Sequence, residues 1–203
     1  MEEKSTEREK TKYWQKQTLK HLGAMRAAKE AGLLPKKEGW RNVVEHELVE
    51  SVACDVLAEA LGLNKTDRAN VTEAAAVHDV FKRKEIELMK KLGPSGYDLG
   101  QEEEAVFLRD RSFSDEIVRL AQSVGHTSLL PLVVDPKAAE LKLKEDIDLA
   151  TLIIHYVDDI TLNNDLVPLN QRIDYLNDNP KYREINEQGK VVFAGRLYFE
   201  VQR

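Results

Sequence analysis

Apolar residues recur at helical spacing in one segment after another of this 203-residue chain, and this periodicity restricts its fold more than any other feature. Signals for helix ends separate the segments. Gly62 has the position of a C′ glycine, and Pro168 suits the first turn of a late helix. The tail, residues 190–201, could be a strand by propensity, but there is no other run of that type to pair with it. The chain is therefore predicted to be all-α, a helical bundle with a helical tail.

Local signals also predict where the central helices lie and which face one of them buries. One helix is expected from near Gly39 to Gly62, and Thr66 or Asp67 is expected to cap the next one. The apolar stripe of the first of these helices is predicted to comprise Val49, Val52, Ala53, Val56, Leu57 and Ala60. Residues 93–100 contain three glycines and one proline, which predicts a loop that could act as a lid.

Composition and charge limit the classes of function that the chain can have. Hydrophobic residues make up 42% of the chain and charged residues 33%, which is ordinary for a soluble helical protein. The formal net charge of −6 argues against a broad nucleic-acid-binding surface, because such a surface needs a basic excess. Cys54 is the only cysteine and is expected to be a buried small side chain, so nothing indicates an oxidising compartment.

No targeting segment is visible in the sequence. The first ten residues alternate in charge and lack the apolar core of a signal peptide. No uncharged apolar run approaches the roughly 20 residues that span a bilayer. We expect a cytoplasmic protein without membrane or nucleic-acid partners, and the sequence leaves a homodimer open.

The pair His78-Asp79 follows an alanine-rich run that should face the core. Burial of an ionised aspartate is costly unless the group is paired or bound to a metal. An adjacent imidazole and carboxylate can both bind one divalent cation where a helix end or a distortion lets them converge. Partners for such a site stand on other predicted helices: His46 is 32 residues upstream, and the acidic pair Asp158-Asp159 is 80 residues downstream. We interpret these residues as a metal site.

The residues alone favour Asp159 over Asp158 as the downstream ligand. At helical spacing, residues 149–162 put their apolar side chains on one broad face. That face comprises Leu149, Leu152, Ile153, Tyr156, Val157 and Ile160. Asp159 lies nearer the edge of this face than Asp158 does, so helical geometry favours Asp159.

The order His, His-Asp, Asp is similar to that of the HD-domain superfamily, a group of all-helical metal-dependent phosphohydrolases. The similarity covers roughly residues 40–176. Trp40-Arg41 stands shortly before the first histidine, as in that family. Lys82 stands where HD domains often carry the lysine of a His-Asp-x-Gly-Lys string, although here Phe81 replaces the glycine. The turn after the metal pair is therefore expected to be less tight than in the family pattern.

The downstream acidic segment resembles the family as well. Tyr156-Val-Asp158 is similar to the Tyr-Ala-Asp of HD domains, which favours Asp158, and Arg172 stands about a dozen residues further on. The resemblance implies an HD-domain-like bundle with an accessory N-terminal helix in residues 1–38, the HD domain in residues 39–178 and a C-terminal helical extension in residues 179–203. The metal ligands that it implies are His46, His78, Asp79 and Asp158.

The resemblance further implies an enzyme that hydrolyses a nucleotide or another small phosphorylated metabolite. One divalent ion, Mn²⁺, Fe²⁺, Co²⁺, Ni²⁺ or Zn²⁺, would keep open positions beside four protein ligands and would activate water for attack on phosphorus. Lys82, Arg41 and Arg172 are then candidate substrate contacts. Asp79 and His126 are candidate catalytic residues, with His126 contacting the leaving group or acting as general acid. For the side chains of Lys82, Arg41 and Arg172, a solvated charge or a structural ion pair is an equally good interpretation.

Two other functions stay open at this point. Phe81 in place of glycine, together with the lack of an evident general acid just after Asp79, is compatible with an HD domain that binds a metal or senses a ligand without turnover. A di-iron oxygenase on the same scaffold would need further histidine ligands, and His126 and His155 could supply at most two. The number of metal ions per chain would separate the one-metal from the two-metal interpretation.

Overall fold

The computed structural model describes residues 7–34, 39–124 and 148–178. Within them the chain forms eight helices and one two-stranded sheet, so the all-α prediction is confirmed. The helices are α1 (Glu7–Glu30), α2 (Gly39–Ala60), α3 (Lys65–Ala75), α4 (Lys82–Leu92), α5 (Pro94–Arg109), α6 (Asp115–Ser123), α7 (Leu149–Ile160) and α8 (Leu169–Asp178). The strands β1 (Thr161–Leu162) and β2 (Asp165–Leu166) form an antiparallel hairpin between α7 and α8. The predicted helical tail and His126 lie outside the described residues.

Helix α3 occupies the centre of the bundle, where it packs against α2, α6 and α7. Its buried side chains are small, and this lets the neighbouring helices approach closely. Helix α1 contributes to the same core through Ala24, Met25 and Ala28, all of which are buried. The N-terminal helix therefore packs on the helices that carry the candidate site.

The connection between α2 and α3 confirms one predicted signal and corrects another. Gly62 follows the end of α2 with a φ of +76°, the left-handed conformation expected of a C′ glycine. The cap of α3, however, is Asn64 and not Thr66 or Asp67. The Asn64 side-chain oxygen accepts hydrogen bonds from the backbone N–H groups of both those residues at 3.0 Å. Asparagine is among the strongest N-cap residues, so α3 begins at Lys65.

The predicted apolar stripe of α2 is wrong in its helical phase. Val52 and Val56, which were placed on that stripe, are 46% and 60% exposed. The buried face is shifted by two residues, to nearly the opposite side of the helix, and comprises Val44, Glu47, Glu50, Ser51, Cys54, Asp55 and Ala58. Polar partners on other elements account for much of this: Arg68 binds Asp55, for example, at 2.5 and 2.6 Å. The buried position of Cys54 is confirmed.

Residues 93–100 do not form the predicted loop. Gly93, with a φ of +65°, makes the turn, and α5 begins at once with Pro94 in its first turn. Gly96 is needed for packing, because a Cβ there would overlap the backbone carbonyl of Leu88 on α4. The glycines thus allow α4 and α5 to approach closely, and the prediction of a lid here is wrong. Among the described helices, none is both long enough and apolar enough to cross a membrane.

Candidate metal centre

Four side chains from three parts of the fold converge on one point. His46 and Glu50 come from α2, His78 from the turns that follow α3, and Asp158 from α7. One donor atom of each lies within 4.8 Å of a donor atom of every other. The Nε2 atom of His46 is 2.9 Å from Glu50 Oε1 and 3.6 Å from Asp158 Oδ1. The Nε2 atom of His78 is 3.3 Å from Glu50 Oε2 and 3.8 Å from Asp158 Oδ1.

Local structure explains why these residues meet. His46 and Glu50 are separated by four residues on α2, so they lie on one helix face. Helix α3 ends at Ala75, and residues 76–81 form a series of turns before α4 begins. His78 and Asp79 lie in these turns, where adjacent side chains are freed from strict helical directions. The sequence left either a helix end or a distortion open at this pair, and the structure shows that α3 ends three residues before His78.

Backbone carbonyl groups orient both imidazole rings. The Nδ1 atom of His46 lies 2.7 Å from the carbonyl oxygen of Asn163, and the Nδ1 atom of His78 lies 3.0 Å from that of Ala75. A carbonyl oxygen can only accept, so each Nδ1 carries the hydrogen and donates it. Each Nε2 atom then faces the cluster. This is the arrangement that metal-binding histidines usually have.

The Asn163 carbonyl owes its position to the hairpin. Asn163 lies in the turn between β1 and β2 with a φ of +57°, a conformation that asparagine tolerates better than most residues. The adjacent Asn164 donates a hydrogen bond to Glu45 on α2 at 2.6 Å. The short sheet thus ties the end of α7 to the first half of α2, next to His46.

The hydrogen-bond balance of the cluster fits a cation. Both carboxylate oxygens of Glu50 and the Nε2 atom of His78 are buried and make no hydrogen bond in the structure. Since both Nδ1 atoms carry hydrogen, the two Nε2 atoms must either be protonated as well or present lone pairs to carboxylate oxygens. Metal–ligand bonds of about 2.1 Å would separate neighbouring donors by about 3.0–3.4 Å, close to the distances found. The four residues could therefore hold a divalent metal ion.

Protons compete with a metal for this cluster. Burial alone would lower the pKa of His46, but the Asp158 and Glu50 carboxylates outweigh burial and raise it to about 11. Burial also raises the pKa of Glu50 above its usual range. A metal ion would thus have to displace at least the proton of His46 to bind.

Asp79, a predicted ligand, lies at the edge of the four-residue cluster. Its Oδ1 atom is 3.8 Å from His78 Nε2 and accepts a hydrogen bond from Lys82 Nζ at 2.9 Å. Burial would raise the pKa of Asp79, but the charges of Lys82 and His78 more than offset this and lower it. Asp79 is therefore an ionised carboxylate paired with a lysine, and its role as a ligand stays a prediction.

The two neighbouring acids of α7 point to different places. Asp158 joins the cluster, as its resemblance to the family motif implied. Asp159 is buried, with Oδ2 3.5 Å from Nδ1 of His155. The argument from helical faces favoured Asp159, and that side chain is buried, but it lies beside His155 and is not among the four residues of the cluster. His155 thus pairs with Asp159 and is not among the four residues of the cluster.

Of the remaining predicted site residues, Arg41 and Arg172 are not among the four residues of the cluster. Arg41 is exposed in the first turn of α2, about 7.5 Å along the helix axis from His46. The Arg172 guanidinium lies 5.6 Å from the ring centre of Tyr175, within α8. His126 lies outside the part of the chain that the structure describes. The proposed contacts of these three residues with a substrate stay predictions.

Sequence reasoning missed Glu50. The signal was present, since Glu50 stands one helical turn after His46 on the same face. It was overlooked because the apolar stripe of α2 had been assigned to the valines on the other side. Glu47, which is also fully buried beside the cluster, was missed for the same reason.

The donor set limits the chemistry of the site. Two imidazole nitrogens and two carboxylates suit Mn²⁺, Fe²⁺, Co²⁺, Ni²⁺ or Zn²⁺, and the two carboxylates balance the charge of a divalent ion. Four protein ligands would leave positions free on a six-coordinate ion and none on a tetrahedral one. Comparison with protein-family models, with curated proteins and with solved structures finds no match to this chain.

Proposed function

We propose that this chain is an HD-type metal-dependent phosphohydrolase that acts in the cytoplasm on a nucleotide or another small phosphorylated metabolite. The observation that carries the proposal is the convergence of His46, His78 and Asp158, three residues far apart in sequence, together with Glu50. Their order along the chain is the one that the resemblance to HD domains implied. A divalent ion held there would neutralise charge on phosphoryl oxygens and activate water for attack on phosphorus.

The Asp79–Lys82 pair supports a phosphate contact beside the cluster. Lys82 is 45% exposed and its ammonium group lies 2.9 Å from Asp79, at the edge of the cluster. The charge of Asp79 raises the pKa of Lys82, so this lysine stays charged. A phosphate beside the cluster would lie within reach of Lys82, and Asp79 would hold that side chain in position. The ionised Asp79 could also accept a proton from the attacking water.

Phosphate release from a panel of nucleotides and generic phosphoesters, with each metal in turn, tests the proposal. We expect turnover only with a transition metal present. Lys82→Ala should weaken apparent substrate affinity by about 1.5–3 kcal/mol, the contribution of one charge-assisted hydrogen bond, without loss of metal. Lys84→Ala is the matched control, because Lys84 lies on the same helix and pairs with Glu103 at 3.6 Å. Equal effects of the two variants would contradict the role of Lys82.

A second candidate function is a metal-binding or ligand-sensing domain without turnover. The observation that favours it is the enclosure of the cluster, since the side chains of Glu50 and His78 are 1% and 2% exposed. Structural metal sites are typically closed by four protein ligands, whereas catalytic sites keep a position open. Stoichiometric metal with no phosphate release across the panel, but tight binding of one of its compounds, would favour this second function.

A further inference from the structure

Glu47 connects the candidate metal centre to the N-terminal helix. It is fully buried on α2, directly after His46. Its Oε1 atom accepts a hydrogen bond from the backbone N–H of Asp79 at 3.1 Å. Its Oε2 atom lies 3.2 Å from Nε2 of His21, a buried residue of α1. One carboxyl group therefore joins three separate parts of the fold beside the cluster.

The contact with Asp79 lies in the segment that carries His78, whose position the cluster depends on. Residues 76–81 form turns and not a regular helix, so fewer backbone hydrogen bonds hold them in place. The N–H of Asp79 is held by a side chain 32 residues away in sequence. Because His46 and Glu47 are neighbours, as are His78 and Asp79, this hydrogen bond links the two chain segments that carry the imidazoles. Their ring centres are 5.6 Å apart.

His21 completes the arrangement from the other side. Burial lowers its pKa to about 4, so the ring is neutral near pH 7 and lies within hydrogen-bond distance of Glu47. A buried carboxyl group without such partners would carry a large desolvation cost. The contact with His21 therefore favours the Glu47 conformation in which Oε1 reaches Asp79.

We propose that Glu47 and His21 are positioning residues for the metal centre, which makes α1 a part of the site. The inference rests on the proposed metal binding but not on turnover. Partners beyond the ligands typically contribute about 10- to 100-fold to metal affinity. Here the contribution acts through the backbone of the turn that carries His78 and not through a hydrogen bond to a ligand side chain.

Binding of Co²⁺ to the full chain provides the test, with its visible absorption spectrum as a signature of ligand geometry. Glu47→Ala should weaken Co²⁺ binding by about 10- to 100-fold and change the spectrum. Glu47→Gln keeps an oxygen for the Asp79 N–H and should restore wild-type-like binding. His21→Ala, on a different helix, should shift affinity in the same direction by a smaller factor, and it serves as the second test if Glu47→Ala does not fold.

Asp55→Ala supplies the matched control for mere destabilisation. Asp55 lies on the same buried face of α2, eight residues further on, and is held by Arg68 on α3. Asp55→Ala should lower the melting temperature but leave the Co²⁺ affinity and spectrum unchanged.

Three results would overturn the inference. Folded Glu47→Ala and His21→Ala variants with wild-type affinity and spectrum would overturn it while leaving the metal centre intact. A loss of affinity in Asp55→Ala equal to that in Glu47→Ala would reduce the role of Glu47 to general stability. A wild-type protein that binds no Co²⁺ would overturn the metal centre itself, and the positioning role with it.

Discussion

The buried carboxylates in the two halves of the buried face of α2 have different partners. In the second half, Asp55 accepts hydrogen bonds from two guanidinium nitrogens of Arg68, at 2.5 and 2.6 Å. In the first half, both oxygens of Glu50 are buried without a hydrogen bond and face the two imidazoles of the cluster. Burial is similar in the two places, yet only Asp55 has a permanently charged partner, because the imidazoles beside Glu50 are charged only when protonated. The difference separates a structural ion pair from a candidate binding site.

The contrast has a physical basis. An unpaired buried charge is costly, so a fold retains one only where another component compensates it. For Asp55 the compensation is part of the protein. For Glu50 it has to be a proton or a cation, and the imidazoles on either side make a divalent metal the better fit.

The largest effect is expected from removal of an imidazole. His78→Ala should abolish stoichiometric metal binding, because it removes a nitrogen donor whose orientation is already set by the Ala75 carbonyl. Elemental analysis of the purified protein, after equilibration with each candidate metal, measures this. His155→Ala is the control, since that buried histidine pairs with Asp159 outside the cluster. Unchanged metal content in His78→Ala would show that the cluster beside Glu50 does not bind the metal. Glu50 would then no longer be distinguished from Asp55 as part of a binding site.

Substitution of the two neighbouring acids of α7 should weaken metal binding to very different extents. Asp158→Asn should weaken metal binding by more than the roughly 10- to 100-fold that is typical of residues beyond the ligands. Asp159→Asn should stay within or below that range, because its carboxylate contacts His155. Titration with Co²⁺ compares the two variants directly. A larger loss in Asp159→Asn would show that the cluster is assembled differently.

Disruption at the two buried acids of α2 should lower the stability of the metal-free protein by different amounts, with the larger loss at Asp55. Arg68→Ala leaves Asp55 as an uncompensated buried charge and should lower the free energy of unfolding by about 3 kcal/mol. Glu50→Gln should cost clearly less in the metal-free protein, because burial already favours the neutral form of that side chain. Chemical denaturation with a chelator present measures both values. Equal costs would indicate that Glu50 is as much a structural residue as Asp55.

The smallest effect concerns pH. With the pKa of His46 at about 11 in the metal-free protein, each metal ion should displace a proton near pH 7. Affinity should therefore rise with pH by about tenfold per unit for each proton released. The His46 contribution to metal-free stability has the opposite slope: it is complete below about pH 6.5 and is lost as pH rises towards 11. Affinity that does not change between pH 6 and 8 would contradict proton displacement.

Periodicity and helix-end signals were enough to predict much of the fold, because both act over a few residues. The all-α class, the end of α2 at Gly62 and the exclusion of Cys54 from the surface were all readable in this way. The order of histidines and acids also pointed to three of the four residues that converge. Those residue types are unusual in a core, and so they draw attention even without knowledge of their neighbours.

Several features depended on contacts between distant segments. The phase of α2 could not be read from hydrophobicity, since partners such as Arg68 make a polar face suitable for burial. Glycines that usually predict a loop allow α4 and α5 to pack closely, because Gly96 lies against the Leu88 backbone. Asp159 satisfied the helical-face argument but is held by His155.

The helical class and a short list of chemically unusual residues follow from the amino-acid sequence, since propensity and residue chemistry are local properties. Which of those residues share a site depends on how the helices pack. This packing brings Glu50 to His46, His78 and Asp158, and it places Asp79 with Lys82 at the edge. A metal centre depends on distances of a few ångströms between segments, and no local pattern in the sequence specifies those distances.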